Sequence, residues 1–169
     1  MKENKLEELQ IVEFDMGGCL YGVNISKVSQ ILVPQKTTPI PHTHPAMKGV
    51  FELRGTIIPL IDLGVYLNTK RKEELNEENG KIITLEINNK IVGFLVDEVT
   101  TIKRFSWDDL EKVKFLENKN DIVIGLLKEI DKNNIISLID FEKILYDISN
   151  ENLEAISIED IGVVPERRD

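Results

Sequence analysis

Two stretches of this 169-residue chain carry nearly the same pattern in the same order, and that repetition constrains the fold more than any other feature. An alternating run over Ile11, Val12, Phe14 and Met16 is turned by Gly17-Gly18 into Leu20–Ile25, and Ile82–Ile87 is turned by Asn88-Asn89 into Ile91–Val96. Alternation at period two marks strands, and Gly or Asn pairs between such runs mark tight hairpins. Ile11 falls on Ile82, Phe14 on Leu85, Gly22 on Gly93, Val28 on Val99 and Ile31 on Ile102, each offset by 71. Further on, Gly49-Val50-Phe51 matches Gly125-Leu126-Leu127 at offset 76, and IIPLIDL at Ile57–Leu63 matches IISLIDF at Ile135–Phe141 at offset 78. Matched blocks kept in one order are the mark of an internal duplication.

Each unit then holds four or five short strands separated by turn signals, the pattern of a small barrel. The expected architecture is all-β with short helices: a first barrel over about 9–67, a solvated linker over 68–80, a second barrel over about 81–139 and a C-terminal helix over 141–148. Asp62 and Asp140 end the last strand of each unit, where a carboxylate can accept from the free N–H groups of a following helix. Phe141, Ile144, Leu145 and Ile148 follow at helical spacing. Ser106-Trp107-Asp108-Asp109 resembles a capping box. Pro59 within a strand implies an edge or a bulge, because it cannot donate to a ladder. Residues 150–169 have a weaker pattern and read as a connector.

Composition narrows the function classes. A net charge of −9 argues against a nucleic-acid partner, since phosphate repels an acidic surface. Cys19 is the only cysteine, so no disulfide can form within the chain and a reducing compartment is expected. Neither a secretion signal nor an apolar run long enough to span a bilayer is visible, so the expectation is a cytoplasmic protein without direct membrane insertion. Gly17-Gly18 precedes a strand rather than a helix, which does not fit a phosphate loop. Cys19 has no nearby base, and adjacent carboxylates such as Asp97-Glu98 point to opposite faces of a strand. Neither a cofactor nor a metal is expected. The alternative is a metal-binding or small enzymatic barrel built on His42 and His44 in PHTHP.

Three segments together resemble a known family. YGVNISKVSQIL at Tyr21–Leu32, TTPIPHTHPAMKGV at Thr37–Val50 and LRGTIIPLIDL at Leu53–Leu63 are similar to the CheW-like domain of bacterial chemotaxis, over about residues 9–148. SWDDLEK at Ser106–Lys112 and DFEKILYDIS at Asp140–Ser149 bring the likeness nearest to the N-terminal domain of CheV. On that reading the tail resembles the start of a link to a receiver domain not contained in this sequence.

The resemblance implies a pair of SH3-like barrels and a non-catalytic adaptor that couples chemoreceptors to the histidine kinase CheA. It implies two partners: the receptor's cytoplasmic tip, packed in a groove between barrels, and the kinase's regulatory domain, paired with the first barrel. The protein would be cytoplasmic and recruited to membrane-associated receptor arrays. By the same resemblance, the protein-binding residues are Arg54, with Leu53 and Gly55 beside it, then Val28, Gln30 and Ile31 in the groove segment, and Gly49. Gln30 stands where many CheW proteins carry a glutamate. Arg54 has two readings: contact with a partner, or an internal ion pair that fixes its hairpin. A further alternative is the regulatory domain of the kinase itself.

Overall fold

The computed structural model describes residues 7–41, 43–69, 79–112 and 122–155. The first repeat contributes β1 (Glu8–Met16), β2 (Cys19–Asn24), β3 (Val28–Leu32), β4 (Met47–Leu53), β5 (Thr56–Asp62) and the one-turn helix α1 (Leu63–Tyr66). The second contributes β6 (Lys81–Ile87), β7 (Lys90–Val96), β8 (Glu98–Ser106), β9 (Val123–Glu129), β10 (Asn134–Ile139) and helix α2 (Phe141–Ala155). The β1–β2 turn holds Gly17 and Gly18 at φ 60° and 84°, and the β6–β7 turn holds Asn88 and Asn89 at 51° and 62°. Glycine and asparagine enter this left-handed region at the least cost, which is why these pairs turn the chain.

The caps fall where the carboxylates stand. Asp62 Oδ1 accepts the Val65 N–H at 3.2 Å and Asp140 Oδ1 accepts the Lys143 N–H at 3.2 Å, starting α1 and α2. Ser106 and Asp109 form a reciprocal capping box around a single 3-10 turn. Helix α2 continues past Ile148 to Ala155, longer than the expected 141–148. No helix-breaking glycine or proline intervenes before Gly162.

The strands form two five-stranded sheets, but the sheets do not follow the repeat boundary. Sheet A runs β8-β1-β2-β10-β9 and sheet B runs β3-β6-β7-β5-β4. Each sheet therefore takes the first hairpin of one repeat and the last three strands of the other. The expected allotment of 9–67 to one barrel and 81–139 to the other is corrected: residues 8–24 belong with 98–139, and 28–62 with 81–96. Most of the linker, 70–78, lies outside the described residues, as do 156–169 of the tail.

Both sheets curl shut in the same way. The chain leaving β3 returns to β4 through Thr38, whose N–H and C=O bond Val50 at 2.8 and 2.9 Å. The chain leaving β8 returns to β9 through Glu111, which exchanges bonds of 2.9 and 2.8 Å with Leu126. These bridges join the outer strands and satisfy backbone groups that an open edge would leave unpaired.

Exchange of hairpins creates three apolar cores, one inside each barrel and a larger one between them. Leu9 and Ile11 of β1 enter barrel A with Leu127, Ile136 and Leu138. Val12, Phe14 and Met16, on the opposite face of the same strand, pack the seam. Strand β6 repeats the division, with Ile82 inside barrel B and Ile83, Leu85 and Ile87 in the seam. Helix α2 adds Phe141, Ile144 and Ile148 to the seam, where Phe141 meets Phe94 edge-on at 4.7 Å. Burying each such side chain contributes roughly 1.5–3 kcal/mol relative to leaving it in water.

Strand β5 is interior in its sheet, so Pro59 does not mark an edge strand. Its pairing with β7 covers only Leu60–Asp62, however, leaving Pro59 with β4 alone beside it. A residue without an N–H is tolerated there.

Candidate docking surface

Strands β4 and β5 turn on Arg54 and Gly55, with Leu53 paired to Thr56 across them. Arg54 lies at φ 51° and Gly55 at 83°, so both central residues are left-handed, as a two-residue hairpin of this hand requires. For an arginine that conformation costs about 1 kcal/mol relative to the right-handed regions. Its side chain is exposed and makes no ion pair or hydrogen bond among the described residues. Among the described residues nothing forms the internal ion pair offered as one reading of Arg54, and Leu53 beside it packs on the Phe51, Ile58 and Leu60 core.

The other sequence-derived positions divide by burial. Gly49 is buried at φ 147°, and a Cβ there would stand 2.2 Å from the Thr38 carbonyl oxygen. Glycine is needed at that point because the barrel closes against it. Val28 is half-buried against the seam core. The Gln30 backbone is clamped by Thr84, whose Oγ1 accepts the Gln30 N–H at 2.9 Å and donates to the Gln30 carbonyl at 3.1 Å. Ile31 points outward and is 44% exposed. The Val28–Ile31 segment lies on β3 and the Arg54 turn at the end of β4, the two outer strands of sheet B that the Thr38–Val50 bridge draws together.

His44 Nδ1 accepts the Ala46 N–H at 3.0 Å, and its ring lies near Tyr66. His42 lies outside the described residues. Among the described residues, no three His, Cys, Asp or Glu side chains converge as a metal site would need. Among them also, no helix is long and apolar enough to cross a membrane.

Sequence reasoning missed a buried charge network in barrel A. Glu13 is 3% exposed on β1. Its carboxylate accepts from Thr100 and from Lys103 Nζ, the latter at 2.9 Å. Lys103 also pairs with Glu129 on β9, spanning the barrel opposite the β1–β2 hairpin. Burial alone would push Glu129 up, but the bond and charge of Lys103 hold its carboxyl below the ordinary value. Burial alone would push Lys103 down, but bonds to Glu129 and Glu13 and their charges raise it. At the offset of 71 Glu13 falls on Thr84 and Lys103 on Leu32, so the other repeat holds no counterpart from which the network could have been read.

Paired barrels with two solvent-facing surfaces define a binding scaffold. The comparisons give it a family. A model of the CheW-like domain matches residues 10–149, and the chain belongs to that family of non-catalytic chemotaxis scaffolds. Chemotaxis protein CheV3 of Helicobacter pylori is 35% identical over 85% of this chain, and the match spans 49% of that relative's length. Chemotaxis protein CheW of the same organism is 28% identical, over 85% of this chain and 86% of the relative. The crystal structure of scaffolding protein TtCheW from Thermoanaerobacter tengcongensis superposes with a TM-score of 0.70 at 27% identity, covering 79% of this chain and 89% of that one.

Proposed function

We propose that the chain couples chemoreceptors to the histidine kinase CheA by binding both and transforming neither. One observation carries this reading: an arginine kept in a left-handed turn, solvent-facing and without a side-chain partner among the described residues, on a family scaffold. A strained residue whose side chain has no partner among the described residues is suited to a contact with another chain. Its planar guanidinium can fork onto a carboxylate or backbone carbonyl of the kinase's regulatory domain. On β3, Ile31 offers the outward apolar contact for the receptor tip, with Val28 beneath it and Gln30 beside it. Gln30 supplies no charge there, so receptor contact at this position is a hydrogen bond rather than a salt bridge. Leu53, Gly49 and Gly55 act by shaping the Arg54 turn and the strand that carries it. The protein on this reading is cytoplasmic and gathers at membrane-associated receptor arrays.

Size-exclusion chromatography of the chain mixed with the regulatory domain, and separately with a receptor cytoplasmic fragment, tests the proposal. A complex is expected in each mixture, and Ile31→Asp should weaken only the receptor complex. No association with either partner would overturn it.

A further inference from the structure

Each sheet joins strands of one repeat to strands of the other, so the fold depends on the two repeats recognising each other. Strands β1 and β2 lie against β8 and β10, and β6 and β7 lie against β3 and β5. The two junctions share one register. Ile11 stands opposite Lys103 and Glu13 opposite Thr101 in sheet A, as Ile82 stands opposite Leu32 and Thr84 opposite Gln30 in sheet B. Each residue is displaced by 71 from its equivalent. Backbone pairing therefore does not distinguish a first repeat from a second: β1 of one copy matches β3 of another copy in that same register.

Side chains at this junction do distinguish them. In barrel A the Glu13 carboxylate, 3% exposed, accepts from Thr100 and from Lys103 Nζ, and Lys103 also pairs with Glu129. The offsets of 71 and 76 put Thr84, Leu32 and Leu53 at the same three places in barrel B. There Thr84 is satisfied by the Gln30 backbone, and Leu32 and Leu53 pack on the apolar core. The network is thus split between the repeats, with Glu13 on the first and Lys103 and Glu129 on the second. Two first repeats paired with each other would bury each Glu13 against Leu32 and Leu53, with no cation in reach. A buried carboxylate stripped of its partner is strongly destabilising. Two second repeats paired with each other would deprive Lys103 of Glu13, and in a dimer of whole chains they would leave the first repeats to pair together.

We propose that the Glu13–Lys103–Glu129 network selects the pairing partner: a first repeat accepts a second repeat and rejects the first repeat of another copy of this chain. An internal duplication otherwise invites like-with-like assembly, because both units carry the same strand pattern. The selection keeps Arg54 and the Val28–Ile31 segment on a unit built from both repeats, and it stands whether or not the docking roles proposed above hold.

The test uses the full chain. Two single-cysteine variants, Gln10→Cys and Val33→Cys, each also carrying Cys19→Ser, are unfolded together, refolded at high concentration and mildly oxidised. Gln10 stands opposite Arg104 in sheet A, and Val33 is the equivalent of Arg104 in the first repeat. A 10–33 link between copies therefore reports first repeats paired with each other. With the native network, this link is expected no more often than in the same chains mixed and oxidised without unfolding. Substituting the residues that barrel B carries, Glu13→Thr with Lys103→Leu and Glu129→Leu, removes the selector and should raise the link roughly tenfold or more. Transplanting the network into barrel B, Thr84→Glu with Leu32→Lys and Leu53→Glu, satisfies every pairing equally and should raise it as well. Either set decides the matter if the other does not refold to a native circular dichroism spectrum. A 10–33 link above the unrefolded control in chains with the native network, or no rise in a refolded variant set, would overturn the proposal.

Discussion

Arg54 shows how one residue can be expensive for the fold and still be kept. A left-handed arginine gives up about 1 kcal/mol, and no described neighbour returns it. Arg54→Gly is therefore expected to leave the thermal midpoint unchanged or raise stability by about 0.5 kcal/mol, after the glycine's greater unfolded freedom is counted. Arg54→Val, β-branched and ill-suited to positive φ, should lower stability by about 1–2 kcal/mol. Chemical denaturation of the pair checks both signs. Gly49 is the opposite case. With its φ of 147° and the Thr38 carbonyl where a Cβ would go, Gly49→Ala should destabilise by about 3 kcal/mol or more, so any loss of binding in that variant reports the fold. Sequence reading placed both residues but could not separate them, because neither burial nor φ is written in a residue's identity.

At the scale of elements, the Glu13–Lys103–Glu129 network braces β1, β8 and β9. Lys103→Met leaves the buried Glu13 carboxylate without its cation and should cost roughly 2 kcal/mol. The pH dependence follows from the directions of the shifts. Glu129 sits below its ordinary value near 4.5, so its contribution is complete above that pH and is lost as the pH falls through the depressed folded value. Lys103 sits above its ordinary 10.5, so its contribution holds below 10.5 and is lost as the pH climbs through the raised folded value. Acid titration of stability should accordingly be shallower for Glu129→Gln than for the native chain below about pH 4.5, while near neutrality both curves are flat and the variant is the less stable. Hairpins, caps and the helix start were legible in the sequence because each is set by residues a few positions apart. The network was not, since Glu13 and Lys103 meet across 90 positions and nothing local marks either as a partner.

The whole molecule is one interlocked object rather than two beads. Repetition announced two similar units, and two similar sheets exist, but alternation tells which face of a strand is buried and not which strand lies beside it. The exchange of hairpins therefore escaped the sequence. Its consequence is testable: with each sheet drawing on both repeats, polypeptides 1–69 and 79–169 should each be largely unstructured alone and should regain β-structure when mixed. Cooperative unfolding of either fragment by itself, followed by circular dichroism, would contradict the topology.

The most direct test of the adaptor reading separates folding from contact at a single side chain. Calorimetric titration of the kinase regulatory domain into the native chain and into Arg54→Gly should give saturable binding for the first and at least tenfold weaker binding for the second, at an undiminished thermal midpoint. Equal affinity in the two titrations would remove Arg54 from the interface, and no heat of binding to the native chain would contradict the coupling role itself.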